Sequence, residues 1–319
     1  MTATRVLIDT DPGIDDAAAI LLALASPEAI DLLGLTTVAG NVALPKTTRN
    51  AIRIRELAGV DIPVAAGAPA ALIRPALERG DAESVHGEDG FGGWTHAEAT
   101  GEPVAEHAID FIARLSDDGP LTIVGIGPLT NVALLLARHP DIVERIERFV
   151  IMGGARLEGN ASAAAEFNIW LDPEAAARVF SSGIPITMFP LDITRQATMR
   201  VDEVDELSRT GEIGRTLADL IRFYHVGEHD ARPGDFLAPL HDVLTTLYLT
   251  NPQAMTYVDA AVTVDCGDSI SRGATLVDTS GRPASVKNVS VGVDLDRDTF
   301  ARMLIDGVRE LELRRGTAS

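Results

Sequence analysis

The chain is poor in cysteine, in positive charge and in long apolar runs. Its one cysteine, Cys266, excludes an internal disulfide framework and is read as a small packed hydrophobe rather than a thiol nucleophile. Lys and Arg number 27 against 47 Asp and Glu, which gives a net charge of −20. That surface repels phosphate backbones and anionic membranes, so nucleic acid and membrane are not expected as partners. A neutral or cationic small molecule, or a metal, fits better. No stretch approaches the ~18 uninterrupted apolar residues of a membrane span. Met1-Thr2-Ala3-Thr4 leads straight into a strand pattern, without the basic and apolar regions of a signal peptide, and cytoplasmic residence is expected. Internal repeats, low-complexity tracts and Ser/Gly linkers are also missing, so 1–319 is expected to form a single α/β domain.

What the chain does have is alternation. Short β-branched runs at Arg5–Asp9, Asp31–Val38, Ile62–Ala65, Leu121–Val124, Arg148–Met152 and Pro185–Phe189 read as strands. Amphipathic runs at Asp15–Ala25, Pro45–Ala58, Val104–Leu115, Leu129–Ala137 and Pro173–Ser181 read as helices between them. This pattern predicts βαβ units in an open, mostly parallel, Rossmann-like sheet with helices on both faces. Beyond Asp192 the chain reads as helical to about His225, then as a helix at His241–Leu249, then as β segments Thr256–Val264, Ala274–Asp278 and Ser285–Val293 that extend the sheet. Gly67–Gly101, Gly153–Asp172 and Gly227–Pro239 are long for connections and are candidate functional loops; the first and last could close over a ligand.

The chemistry concentrates in Val6-Leu7-Ile8-Asp9-Thr10-Asp11-Pro12-Gly13-Ile14-Asp15-Asp16, where four carboxylates fall within eight residues after a strand. Like charges that close need neutralising, and a hard divalent cation with oxygen ligands is the simplest means. Asp15 and Asp16 lie in the first turn of a helix, about 100° apart around its axis, so one can face a metal and the other a substrate. Helix capping accounts for one of these acids but not for four. An EF-hand loop starting at Asp9 would require Gly at Ile14 and Glu at Ile20. A phosphoaspartate hydrolase with Asp9 as nucleophile leaves Asp15-Asp16 unexplained. Further polar clusters follow the predicted strands: Thr37 to Asn41, Gly127 to Asn131, and Met152-Gly153-Gly154. Ligands of open parallel sheets bind at that carboxyl edge.

These segments together resemble the inosine-uridine-preferring nucleoside hydrolases. The resemblance runs through Asp9–Asp16, Thr37-Val38-Ala39-Gly40-Asn41, His86-Gly87, Gly127-Pro128-Leu129-Thr130-Asn131, Met152-Gly153-Gly154, Gly159-Asn160, Ala165-Glu166-Phe167-Asn168-Ile169, Asp172-Pro173-Glu174-Ala175 and Pro239-Leu240-His241-Asp242. It implies calcium-dependent hydrolysis of the N-glycosidic bond of ribonucleosides to free base and ribose. Asp11, Asp16 and Asp242 then match Ca²⁺ ligands, with the backbone carbonyl of Thr130. Asp15, Asn41, Asn160, Glu166 and Asn168 match ribose contacts, and Met152 and Phe167 apolar contacts to the nucleoside. Asp11 is the implied base for a metal-acidified water, and His241 the candidate acid for the departing base. His86, His225 and His229 are candidate base contacts; the run from His225 to His229 departs from any specificity pattern that the resemblance supplies. A homo-oligomer is also implied. Two other readings stay open: a nucleoside- or pentose-binding protein without catalysis, and a metal-dependent phosphohydrolase that uses Asp9.

Overall fold

The computed structural model describes residues 2–74, 85–94, 99–227, 237, 239–282 and 286–318. His229, most of Gly227–Pro239 and part of Gly67–Gly101 lie outside the described residues. The strands are β1 (Thr4–Thr10), β2 (Ile30–Thr37), β3 (Val64–Ala66), β4 (Leu121–Gly125), β5 (Ile146–Met152), β6 (Ile186–Phe189), β7 (Met255–Val264), β8 (Thr275–Asp278) and β9 (Val289–Leu295). The helices are α1 (Ile14–Leu24), α2 (Leu44–Ala58), α3 (Ala108–Ser116), α4 (Thr130–Arg138), α5 (Phe167–Leu171), α6 (Pro173–Phe180), α7 (Leu191–Thr194), α8 (Val201–Ser208), α9 (Glu212–Gly227), α10 (Val243–Thr250) and α11 (Arg297–Ala318).

Apolar residues at successive strand positions require cover on both faces of a sheet. Val6 and Ile8 of β1 pack into one core, with α1, α2 and α8–α11, while Leu7 between them packs into the other, with α3, α4 and α6. The same division recurs in β5, where Val150 faces the first core and Phe149 and Ile151 the second. Helix α1 is buried from Ile14 to Ala23, and its alanines let neighbouring helices approach closely.

Among the described residues nine strands form one sheet, ordered β3-β2-β1-β4-β5-β6-β9-β7-β8. The seven from β3 to β9 are parallel, as expected from the βαβ alternation. β7 returns antiparallel to β9, and β8 antiparallel to β7. The chain steps outward from β1 to β2 and β3, then crosses to β4 on the other side. The carboxyl ends of β1 and β4 therefore flank a topological switch point, where a crevice opens.

Four departures from the sequence reading have physical reasons. The helix expected from Val104 starts at Ala108, where the His107 ring accepts from Ile109 N–H. The helix expected from His241 starts at Val243, after a turn that places Asp242 at its entrance. The long connection after β5 contains α5, whose N-cap is the Glu166 carboxylate. Helix α11 was not anticipated; Asp296 caps it through Thr299 N–H, and Phe300, Leu304, Ile305, Val308 and Leu311 bury one stripe against the first core.

Candidate active site

Strand β1 delivers Asp9 and Asp11 to the switch point, and the following turn delivers Asp15 and Asp16 to the start of α1. All four are buried. Their surroundings separate their duties. Asp9 is a structural acceptor: its Oδ1 receives Thr36 Oγ1 at 2.6 Å and Asn131 Nδ2 at 2.8 Å. Burial raises its pKa to about 6, against those two bonds, which lower it. Those bonds make Asp9 a brace between β1, β2 and the start of α4.

Asp11 is fixed from both sides. Its Oδ2 receives the backbone N–H of Asn41 at 2.5 Å. A Cβ on Gly40 would stand 1.7 Å from Asp11 Oδ2, and one on Gly127 2.5 Å from Oδ1. Only glycine at both places lets the turns after β2 and β4 close on this carboxylate. Asp16 receives Thr10 Oγ1 at 2.5 Å on Oδ1, and Gly13 N–H at 2.9 Å and Asn41 Nδ2 at 3.3 Å on Oδ2. Asn41 thus joins Asp11 to Asp16.

Asp242 arrives from the opposite side, at the entrance of α10. Carboxylate oxygens of Asp15, Asp16 and Asp242 all lie within 4.8 Å of one another. Burial raises the pKa of Asp242 well above the ordinary carboxylate range, and the charges of Asp15, Asp16 and Asp11 raise it further. Burial likewise raises Asp16, against hydrogen bonds from Thr10 and Gly13. Buried carboxylates this close hold a proton between them or a cation. All the donors are hard oxygen, which suits a divalent cation of the calcium or magnesium class. The tightest trio includes Asp15, which the resemblance assigns to the sugar, while Asp11 stands beside it and adds charge.

Thr130 opens α4, and its hydroxyl donates to Asp172 Oδ2 at 2.7 Å. Asp172 also caps α6 through Ala175 N–H and receives Leu72 N–H, so one buried acid ties three segments to the rim. The next residue, Asn131, donates to Asp9 and to Thr37 O and accepts from Ala68 N–H. Neither Asn131 nor Asp172 was singled out as a site residue. Each stands in a segment that carries the family resemblance, Gly127–Asn131 and Asp172–Ala175, which is the sequence signal for both.

The loop after β5 carries a second polar group. Glu166 Oε1 receives Asn168 N–H at 2.9 Å, and Oε2 receives Gly154 N–H at 2.9 Å and Ile169 N–H at 3.3 Å. Burial nevertheless raises its pKa to about 7. Asn168 Nδ2 donates to Ile126 O at 3.0 Å and lies against Met152. Asn160 is exposed and spends its Oδ1 on Phe167 N–H, and Phe167 is half-buried. Met152 is buried.

The histidines are held by different elements. His86 Nδ1 accepts from Ile14 N–H at 3.2 Å, which fixes its ring at the entrance of α1, and Tyr224 stacks on it at 5.1 Å. His225 follows Tyr224 on α9. His241 is buried, with Nδ1 2.8 Å from Thr194 Oγ1. The structure therefore gathers Asp11, Asp15, Asp16, Asn41, His86 and Asp242 around one turn. It places Met152, Glu166 and Asn168 together on the β5 loop and leaves Asn160 on the outside.

The sequence profile of the inosine-uridine preferring nucleoside hydrolases matches residues 6–302. A non-specific ribonucleoside hydrolase, RihC of Klebsiella pneumoniae, is 42% identical over 93% of this chain and 95% of its own. A pyrimidine-specific ribonucleoside hydrolase, RihA of Escherichia coli, is also 42% identical, over 96% of this chain and 99% of its own. The solved structure of a purine-preferring ribonucleoside hydrolase from Gardnerella vaginalis superposes with a TM-score of 0.89 at 32% identity, covering 97% of this chain and 99% of that one. A buried carboxylate cluster at a switch point, with amides and a carboxylate beside it, is the setting in which those likenesses fall, and the chain belongs to the inosine-uridine preferring nucleoside hydrolase family, as an N-glycosyl hydrolase.

Proposed function

We propose that the chain hydrolyses ribonucleosides to free base and ribose with calcium as its resident cation. The observation that carries this reading is the convergence of Asp15, Asp16 and Asp242 within 4.8 Å, beside Asp11. Asp11, Asp16, Asp242 and the Thr130 carbonyl would hold the ion, and Asp15 fits either the ion or a sugar hydroxyl next to it. When bound, calcium neutralises the cluster, orients the sugar and makes a nearby water more acidic.

The chain's own groups do the rest. Asp11 accepts the proton of the attacking water as its oxygen bonds to the anomeric carbon and the carbon–nitrogen bond breaks. Positive charge develops on the sugar in that transition state, and the carboxylates of Asp15 and Glu166 face it. Asn41, Asn160, Glu166 and Asn168 supply donors and acceptors for ribose hydroxyls. His241 hands a proton to the departing base, and Thr194 orients its ring through Nδ1. Met152, Phe167, His86, His225 and His229 would line the nucleoside and its base.

RihC and RihA are equally identical to this chain and differ by name in the base they accept, so overall identity does not select a base. The proposal keeps one functional unit over 1–319 in a cytoplasmic homo-oligomer; among the described residues no helix is long and apolar enough to cross a membrane. The test is a panel of inosine, uridine, cytidine and adenosine, with reducing sugar measured with calcium and after chelation. Turnover of at least one, lost on chelation and restored by calcium, is expected. No turnover of any, with tight binding and intact nucleoside recovered, would replace this reading with a binding protein.

A further inference from the structure

Helix α2 turns a stripe of three polar side chains, Lys46, Asn50 and Arg53, onto the coil that carries His86. Asn50 is 2% exposed, and its Nδ2 donates at once to Asp89 O at 2.9 Å and to Pro12 O at 3.1 Å. One amide therefore binds the His86 coil to the turn between Asp11 and Asp15. Lys46 Nζ donates to Glu88 O at 2.5 Å. The Arg53 guanidinium lies 4.5 Å from the Trp94 ring centroid and 5.5 Å from that of Phe91, and donates to Trp94 O. Phe91 and Trp94 meet edge to face at 6.0 Å.

The coil closes its own turns, with Phe91 and Gly93 N–H donating to Asp89 Oδ1 and Gly92 N–H to His86 O, but those local bonds do not dock it on the site. Gly87, Gly90, Gly92 and Gly93 all have positive φ, a conformation suited to glycine, and none offers a side chain to pack. A Cβ on Gly90 would stand 2.8 Å from Asn50 Nδ2, so the coil and the amide were closed on each other. An asparagine and an arginine on the buried face of a helix cost desolvation that apolar residues would avoid. Packing α2 alone does not call for them. Their bonds go to the coil, and through Pro12 to the acid-bearing turn. The described part, 85–94, is tethered along its length rather than built as a swinging lid.

We propose that Asn50 and Arg53 are positioning residues for the base end of the site, fixing the His86 coil against the turn of Asp11, Asp15 and Asp16. This deepens the nucleoside hydrolase reading above and rests on it. The base and the sugar are then held in one register by side chains that touch neither.

The experiment compares two kinds of substrate with the calcium-loaded full chain. Inosine and uridine need the base end. A p-nitrophenyl β-D-ribofuranoside does not, because nitrophenolate leaves without protonation. Wild-type protein that cleaves none of inosine, uridine, cytidine and adenosine overturns the functional reading, and the proposal with it; otherwise the nucleoside it cleaves serves as the comparison. With wild-type turnover in hand, Asn50→Ala and Arg53→Lys should lower kcat/KM for nucleosides roughly ten- to hundredfold, and change that for the nitrophenyl riboside less than about twofold. Arg53→Lys keeps the charge and loses the planar stack, which covers an Asn50→Ala chain that fails to fold. Adding Asn50→Ala to His86→Ala should cost nothing beyond His86→Ala alone. Equal losses on both kinds of substrate, additive losses in the double variant, or unchanged nucleoside turnover would each overturn the positioning role and leave the functional reading standing.

Discussion

The acid-bearing end of the site and the His86 end are built by different means. At the first, backbone elements aim the chemistry: Asp11 leaves β1, Thr130 opens α4, Glu166 caps α5 and Asp242 precedes α10. Strand ends and helix starts fix these residues because the sheet fixes them. At the second, a glycine-rich coil closes on its own Asp89, and α2 side chains dock it against the acid-bearing turn. An end fixed by backbone is costly to alter, whereas an end fixed by side chains can be retuned by a few substitutions.

The largest expected effect tests the rigid end. Asp11→Ala should lower kcat/KM for base release by about three orders of magnitude or more, since it removes the proposed base and a proposed ligand together. Gly40→Ala should approach that loss, because its Cβ would stand 1.7 Å from Asp11 Oδ2. A Gly40→Ala enzyme with near-normal initial rates would show that the acid end gives way, and the contrast between the two ends would fail.

Metal removal comes next and is read as stability. Asp16 and Asp242 have pKa values raised above the ordinary 3.8. The folded, metal-free chain therefore keeps protons that the unfolded chain has released. The stability tied to those protons is complete below about pH 3.8 and is lost as pH rises through the raised values. Melting curves of chelated protein should fall in Tm with rising pH. Calcium should restore ~5 °C or more at pH 8 and less at pH 5. Asn50→Ala should leave that calcium shift in place, which sharpens the separation of the two ends; a shift that vanishes would join them.

A smaller effect concerns Glu166, whose pKa burial raises to about 7. Below that pH the carboxyl keeps its proton and cannot stabilise a positive sugar, so kcat/KM should rise with pH through about 7. The limb should disappear in Glu166→Gln, at a lower plateau. An unchanged limb in that variant would assign the titration elsewhere. The smallest effect is expected at Asn160, which is exposed and whose side-chain oxygen accepts from Phe167 N–H. Asn160→Ala should cost about fivefold or less in kcat/KM, far less than Asn168→Ala, measured on the same nucleoside.

The sheet was legible because its strands repeat short apolar runs between amphipathic helices, and β1, β4 and β5 lie within two residues of where the pattern puts them. Helix α11 escaped the reading, although Asp296 before a stripe at Phe300, Leu304 and Val308 carries the signal. At the site, the acids of β1 and α1 were legible because they are crowded in sequence. The bracing roles of Asp172, Asn131, Asn50 and Arg53 were not, because their partners lie far off in the chain. Asp172 meets Leu72 across 100 residues, and Asn131 meets Asp9 across 122. Asn160 is bonded nearer by: its side-chain oxygen accepts from Phe167 N–H, seven residues on.

The sequence by itself determined the parallel α/β architecture, the acid-rich turn and the chemistry that such a turn invites, because periodicity and local charge are properties of neighbours along the chain. Only the tertiary structure decided which carboxylates share a site, that Asp9 braces β1 against β2 and α4, and that α2 docks the His86 coil. Burial sets a carboxylate's pKa, and contacts across the sheet set its aim; both depend on residues that meet only when the chain has folded.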